Sequence, residues 1–156
     1  MSYLRVEIDE SAITRNVQNL RNRTSAAVMA VVKADAYGHG LVGAARAARE
    51  GGAAWLGVAQ PHEALALREA GDTGPVLTWL YGTEVPAQQL IAAGVDVSAS
   101  SPEVLAVLAA GARDAGATAR VHLCIDTGLA REGAPLDAFD ALVAAASAAQ
   151  HERSDN

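Results

Sequence analysis

Of the twelve basic residues in this 156-residue chain, eleven are arginine and one is lysine, Lys33. Both side chains carry positive charge, but only an amine condenses with an aldehyde to form an imine. A single lysine kept among arginines therefore points to chemistry rather than to charge. Lys33 closes the apolar run Val28-Met29-Ala30-Val31-Val32, which reads as a buried strand. The carboxyl end of such a strand faces the active site in α/β folds. The competing account is a lysine that snorkels from a strand end into water.

A second pattern lies directly downstream. Gly38-His39-Gly40-Leu41-Val42-Gly43 matches the G-x-G-x-x-G of dinucleotide-binding turns, in which glycines let the backbone approach a pyrophosphate. That fingerprint needs its first glycine close behind the strand and an acidic residue at the end of the next strand. Here Lys33 to Tyr37 intervene, and the second strand ends in Ala59-Gln60. The match therefore reads as a glycine turn whose adjoining helix start can still favour a phosphate. His39, His62, His122 and His151 have no metal-ligand spacing, and the single cysteine, Cys124, excludes both an internal disulfide and a cysteine cage. No metal is expected.

The elements that must position Lys33 are legible as alternating short apolar runs and amphipathic stretches, the pattern of repeated βα units on a parallel sheet. Five strands are expected: Val28 to Val32, Trp55 to Ala59, Pro75 to Leu80, Val95 to Ser98 and Ala119 to Ile125. Pro61 and Pro102 suit first helical turns, Ser101 suits the cap before Pro102, and Gly71, Gly94 and Gly111 suit helix ends. Ahead of the repeat lie a leader strand, Leu4 to Ile8, and a helix that places Ile13, Val17 and Leu20 on one face behind Asp9 and Ser11. The last helix is expected from Leu136 to Ala149, with 150–156 as a polar tail. Periodicity leaves two architectures open, part of a (β/α)₈ barrel and an open sheet of five parallel strands.

The run Ala30-Val31-Val32-Lys33-Ala34-Asp35-Ala36-Tyr37-Gly38-His39-Gly40 resembles the cofactor-lysine signature of alanine racemases. Val121-His122-Leu123-Cys124-Ile125-Asp126-Thr127-Gly128-Leu129-Ala130-Arg131-Glu132-Gly133 resembles the fifth strand of that family and the loop after it. The likeness extends to about residue 149. It implies the N-terminal TIM-type barrel, here incomplete with about five of eight βα units, and it implies pyridoxal 5'-phosphate as cofactor. By the same resemblance Lys33 forms the imine and is the catalytic base for one face of Cα. Tyr37 offers its hydroxyl to the cofactor phosphate, and Arg131 contacts the phenolic oxygen.

Residues 1–8 would join a C-terminal β domain, 9–149 would form the partial cofactor barrel, and 150–156 the tail. Family members are expected to be homodimers that interconvert L- and D-alanine and supply D-alanine for cell-wall synthesis. The second base, a tyrosine, comes from the partner's β domain. The chain is thus expected to be a truncated racemase, inactive alone. It departs from the family at Cys124, where a lysine, carbamylated in some members, commonly holds the motif arginine in place.

Other classes remain: another pyridoxal-phosphate barrel enzyme such as an amino-acid decarboxylase, or a fragment that binds the cofactor without turnover. The net charge of -6 and pI near 5.1 argue against nucleic acid and anionic lipid as partners. Neither a signal-peptide core nor a membrane span is evident, so a cytoplasmic location is expected.

Overall fold

A computed structural model describes residues 4–154, with side chains described as far as His151. Five strands form one parallel sheet: β1 (Met29–Val31), β2 (Trp55–Val58), β3 (Val76–Thr78), β4 (Asp96–Ala99) and β5 (Val121–Leu123). All five expected strands are present, four trimmed to the residues that share a ladder and β4 shifted by one residue from the expected Val95 to Ser98. The spatial order is β1-β2-β3-β4-β5. Each strand lies beside its predecessor in sequence, as around a barrel, whereas a doubly wound sheet reverses direction part-way. The doubly wound fold of the dinucleotide-binding alternative is thereby excluded.

The sheet curves. Trp55 of β2 and His122 of β5 meet edge-on with ring centroids 5.7 Å apart, although two strands separate theirs. In a flat sheet that separation would be about 14 Å at the usual strand spacing of about 4.8 Å. Both rings therefore project from the concave side. Gly57 belongs to the same wall, because a Cβ there would lie 2.9 Å from the Trp79 ring. The absence of a side chain lets the indole lie across the strand.

Helices cover the convex side: α1 (Glu10–Arg21), α3 (Leu41–Glu50), α4 (Pro61–Glu69), α5 (Ala87–Ala92), α6 (Pro102–Ala115) and α7 (Phe139–Ser154). A short segment of another kind, α2 (Lys33–Gly38), joins β1 to α3. Pro61 and Pro102 start their helices, and Ser101 accepts from Val104 N at 3.3 Å. The core lies between sheet and helices, built from Leu56, Val58, Leu67, Val76, Leu90, Val97, Leu108 and their neighbours. Central strands β2 and β4 are almost wholly buried, while edge strands β1 and β5 are not.

Four local expectations need correction. Gly111 does not end a helix. It sits inside α6, where a Cβ would approach that of Ala87 to 2.5 Å, and Gly116, left-handed at φ 60, is the actual cap. Of the expected leader, residues 1–3 lie outside the described residues, and residues 4–9 form no strand; Leu4, at 92% exposure, and Val6 face solvent. A strand needs a ladder partner, and none lies beside this run among the described residues. Leu20 is exposed, leaving Val17 as the buried anchor of α1. Finally, α7 continues to Ser154 rather than stopping at residue 149, because Gln150 to Arg153 are tolerable helix formers with no glycine or proline to stop them.

Candidate active site

Lys33 stands just past the carboxyl end of β1, as the strand pattern requires. The next four residues have an unusual backbone. Ala34, Asp35, Ala36 and Tyr37 have φ of 54, 54, 50 and 54° and ψ of 51, 37, 38 and 43°, a full turn of left-handed helix without a glycine in it. Each L-residue in that conformation costs about 1–2 kcal/mol, so the turn exists only where its surroundings overdetermine it.

Several bonds do so. Asp35 accepts from Leu41 N at 2.7 Å through Oδ1, and its carbonyl accepts from Gly40 N at 3.0 Å. His39 Nδ1 lies 2.7 Å from the Ala36 carbonyl, a contact that helps to hold the turn. Ala36 N donates to Val32 O at 3.0 Å. The Asp35 carboxylate thus already occupies the N-terminus of α3, where the sequence pattern allows a phosphate.

A further restraint comes from a residue that the sequence did not single out. Glu63, 5% exposed in the first turn of α4, accepts from Ala34 N at 2.5 Å through Oε1, and from Ala59 N at 3.2 Å and Gln60 N at 2.9 Å through Oε2. A signal existed, since Gln60-Pro61-His62-Glu63 has capping-box spacing behind a strand. Its reach to Ala34, 29 residues earlier, has no local signature.

The turn brings two of the three expected site residues together. The Lys33 ammonium lies 5.0 Å from the Tyr37 ring centroid. Among the described residues it has no ion pair, so no carboxylate must be displaced before the amine reacts. Tyr37 is 74% exposed, its hydroxyl available to a ligand. Arg131 lies on the loop after β5, exposed, and shares no hydrogen bond, ion pair or ring contact with Lys33 or Tyr37 among the described residues.

That second loop is folded around Asp126. Its Oδ1 accepts from Gly128 N at 2.8 Å and Ala130 N at 3.1 Å, and these backbone donors lower its pKa. Asp126 N donates to Ala134 O and Ala134 N to Cys124 O, at 2.8 and 2.7 Å. Gly133 must be glycine here, being left-handed at φ 106 and 2.6 Å from Asp126 N at its would-be Cβ.

Next to this loop, burial pushes the Cys124 thiol up, and the Glu132 and Asp126 carboxylates push it further. The thiol stays neutral and supplies no anion. Glu132 is half-buried with its own pKa raised by desolvation, and it accepts from Ser98 Oγ at 3.2 Å. Tyr81 is pushed up to about 12 by burial, with its hydroxyl between the backbone N and O of Ser98 at 2.6 and 2.8 Å. Its hydroxyl is tied to the backbone and stays protonated near neutrality. No group of three or more metal-ligating side chains exists among the described residues.

Comparison with known proteins decides what this arrangement belongs to. The model of the alanine racemase N-terminal domain matches residues 8–154. The chain belongs to the alanine racemase family. It is 48% identical over 145 residues to the alanine racemase of Salinispora arenicola, and 53% identical over 146 residues to that of Frankia casuarinae. These alignments cover 93% of this chain but 39% and 38% of those proteins. The structure of alanine racemase from Streptomyces lavendulae superposes with a TM-score of 0.91 at 50% identity, over 93% of this chain and 38% of that one. A histidine racemase from Leuconostoc mesenteroides superposes at 0.82 and 30% identity, covering 90% and 38%. The racemase fold of this chain is the N-terminal TIM-type barrel with five of its parallel strands present. The chain spans about two-fifths of the length of these relatives. Among the described residues no helix is long and apolar enough to cross a membrane.

Proposed function

We propose that this chain carries the cofactor-anchoring part of an alanine racemase, with Lys33 as the residue that holds pyridoxal 5'-phosphate. The observation that carries the reading is an amine with no carboxylate partner among the described residues, followed at a barrel strand's carboxyl end by a left-handed turn. The donor set fits the cofactor: an amine for its aldehyde, an exposed phenol four residues on for its phosphate, and the Arg131 guanidinium for its phenolic oxygen. When bound, pyridoxal phosphate supplies an electron-withdrawing ring that makes the Cα proton of an amino acid acidic.

The remaining work falls to the protein. Lys33 Nζ holds or returns the proton on one face of Cα, and Tyr37 and Arg131 orient the site. Inversion needs a second base on the opposite face. Tyr81 is unsuited, its hydroxyl engaged by Ser98 and its pKa raised to about 12. By the family resemblance that base is a tyrosine of the partner's β domain, so the chain alone is expected to racemise no alanine. In the complete homodimeric enzyme the product is D-alanine for the cell wall, and the compartment is the cytoplasm. Alanine is favoured over histidine because the relatives at 48% and 53% identity are alanine racemases, while the histidine racemase is 30% identical.

The test is to mix the chain with pyridoxal phosphate, reduce with borohydride and map the adduct by peptide mass. Modification at Lys33 with no racemase activity is the expected result. Racemisation by the chain alone, abolished by Lys33→Ala, would overturn the claim of inactivity, and absence of any Lys33 adduct would overturn the cofactor site.

A further inference from the structure

Four consecutive non-glycine residues in left-handed conformation directly after Lys33 form a strained segment, and something outside the segment must hold it. Inside it, the hydrogen bonds of Asp35 and Ala36 among the described residues stay within their own neighbourhood, residues 32 to 41. The side-chain bond that ties the turn to a distant part of the fold runs from Ala34 N to Glu63. Glu63 is itself fixed from two sides. It is buried beside β2, and its other oxygen accepts from Ala59 and Gln60 at the end of that strand. Three backbone N–H groups on one buried carboxylate make a strong, directional anchor, because bonds to an ionised acceptor are about twice as strong as neutral ones.

We propose that Glu63 is a positioning residue: through the Ala34 amide it clamps the left-handed turn to β2 and so sets the direction in which Lys33 presents its amine. This rests on the reading of Lys33 as the cofactor anchor. A carboxylate is required because each oxygen serves a different segment, one the turn and the other the start of α4. Glutamine has a single accepting oxygen. In Glu63→Gln that oxygen satisfies the paired donors Ala59 N and Gln60 N, while its amide nitrogen is left facing Ala34 N, donor against donor. The helix cap survives and the clamp on the turn is lost.

The experiment compares the 156-residue chain with Glu63→Gln and Glu63→Ala in two measurements. The first is hydrogen exchange of the Ala34 amide without cofactor. The second is labelling by pyridoxal phosphate and borohydride over a range of cofactor concentrations. Lys33 is the chain's only lysine, so the α-amino group is an internal reference for general reactivity. In Glu63→Gln the Ala34 amide should exchange about tenfold faster, and the concentration that half-saturates Lys33 should rise about tenfold, the lower end of what one bond to a charged group is worth. Labelling of the α-amino group and the circular dichroism spectrum should not change.

Unchanged Ala34 exchange would overturn the clamp. Faster exchange with Lys33 half-saturation within about twofold of wild type, well short of the effect of one such bond, would overturn its role in aiming Lys33. Loss of the fold in Glu63→Gln would replace the local role with a global one and also sink the proposal; unfolding of Glu63→Ala alone would not. If wild type gives no Lys33 adduct, the cofactor reading fails, while Ala34 exchange still reports on the clamp.

Discussion

The two ends of the sheet use charge in opposite ways. At the amino end, Asp72, Arg49 and Arg68 are paired with one another and with backbone carbonyls. Asp72 takes two bonds from Arg49, at 2.8 and 2.9 Å, and one from Arg68 at 3.1 Å. The arginines direct their other donors at carbonyls: Arg49 at Ala53, Ala54 and Pro75, and Arg68 at Asp72, Gly74, Ala93 and Gly94. The loops leading into β2, β3 and β4 are stitched together in this way. At the carboxyl end, Lys33 has no ion pair among the described residues, the Tyr37 hydroxyl is exposed, and Glu132 holds its carboxyl partly out of water. Barrels commonly keep stability at one end and chemistry at the other, and the contrast in hydrogen bonding here is what the proposed site at the carboxyl end would require.

Lys33→Arg tests the chemical end most sharply. It keeps the charge and removes the amine, so the reducible cofactor adduct at position 33 should vanish while the urea midpoint barely moves. A retained adduct there would break the contrast. At the other end, Asp72→Ala strands two largely buried guanidinium groups, with side-chain exposures of 20% and 16%. It should cost about 3 kcal/mol in urea unfolding yet leave the Lys33 adduct intact in the folded fraction. Equal loss of labelling and stability would mean that the two ends are coupled.

Tyr37→Phe should raise the cofactor concentration for half-labelling about tenfold, the effect of one bond to a charged phosphate, with stability within about 0.5 kcal/mol for so exposed a side chain. The smallest effect is expected at Glu132. Folding raises its pKa above the ordinary 4.5, so the folded chain holds that proton more tightly than the unfolded one. Well below pH 4.5 both states are protonated and Glu132→Gln should match wild type. As pH rises through the folded pKa, wild type loses stability and the variant does not, so a gap should open in favour of the variant. A gap that instead closes with rising pH would show that Glu132 is stabilised as an anion.

Much of this was legible in the residues. Apolar runs located all five strands, Pro61, Pro102 and Ser101 marked helix starts, and the place of Lys33 beyond the carboxyl end of the first strand was legible too. Gly111 misled because a glycine that ends a helix and one that admits a neighbouring helix look alike in sequence. Glu63 was missed as a site residue because its decisive partner is a backbone N–H, which almost any residue type would provide.

The sequence by itself therefore determined what depends on short-range pattern: the number of βα units, the strand that ends in Lys33, and the loop after β5 that carries Arg131. Only the tertiary structure decided between part of a barrel and an open sheet of five parallel strands, because strand order and sheet curvature are contacts between segments far apart in the chain and leave no local trace. Only the tertiary structure, too, made Ala34 to Tyr37 left-handed. Their own preferences oppose it by about 1–2 kcal/mol each, and of the hydrogen bonds that hold it the one from Ala34 N to Glu63 exists only once β1, β2 and α4 are assembled.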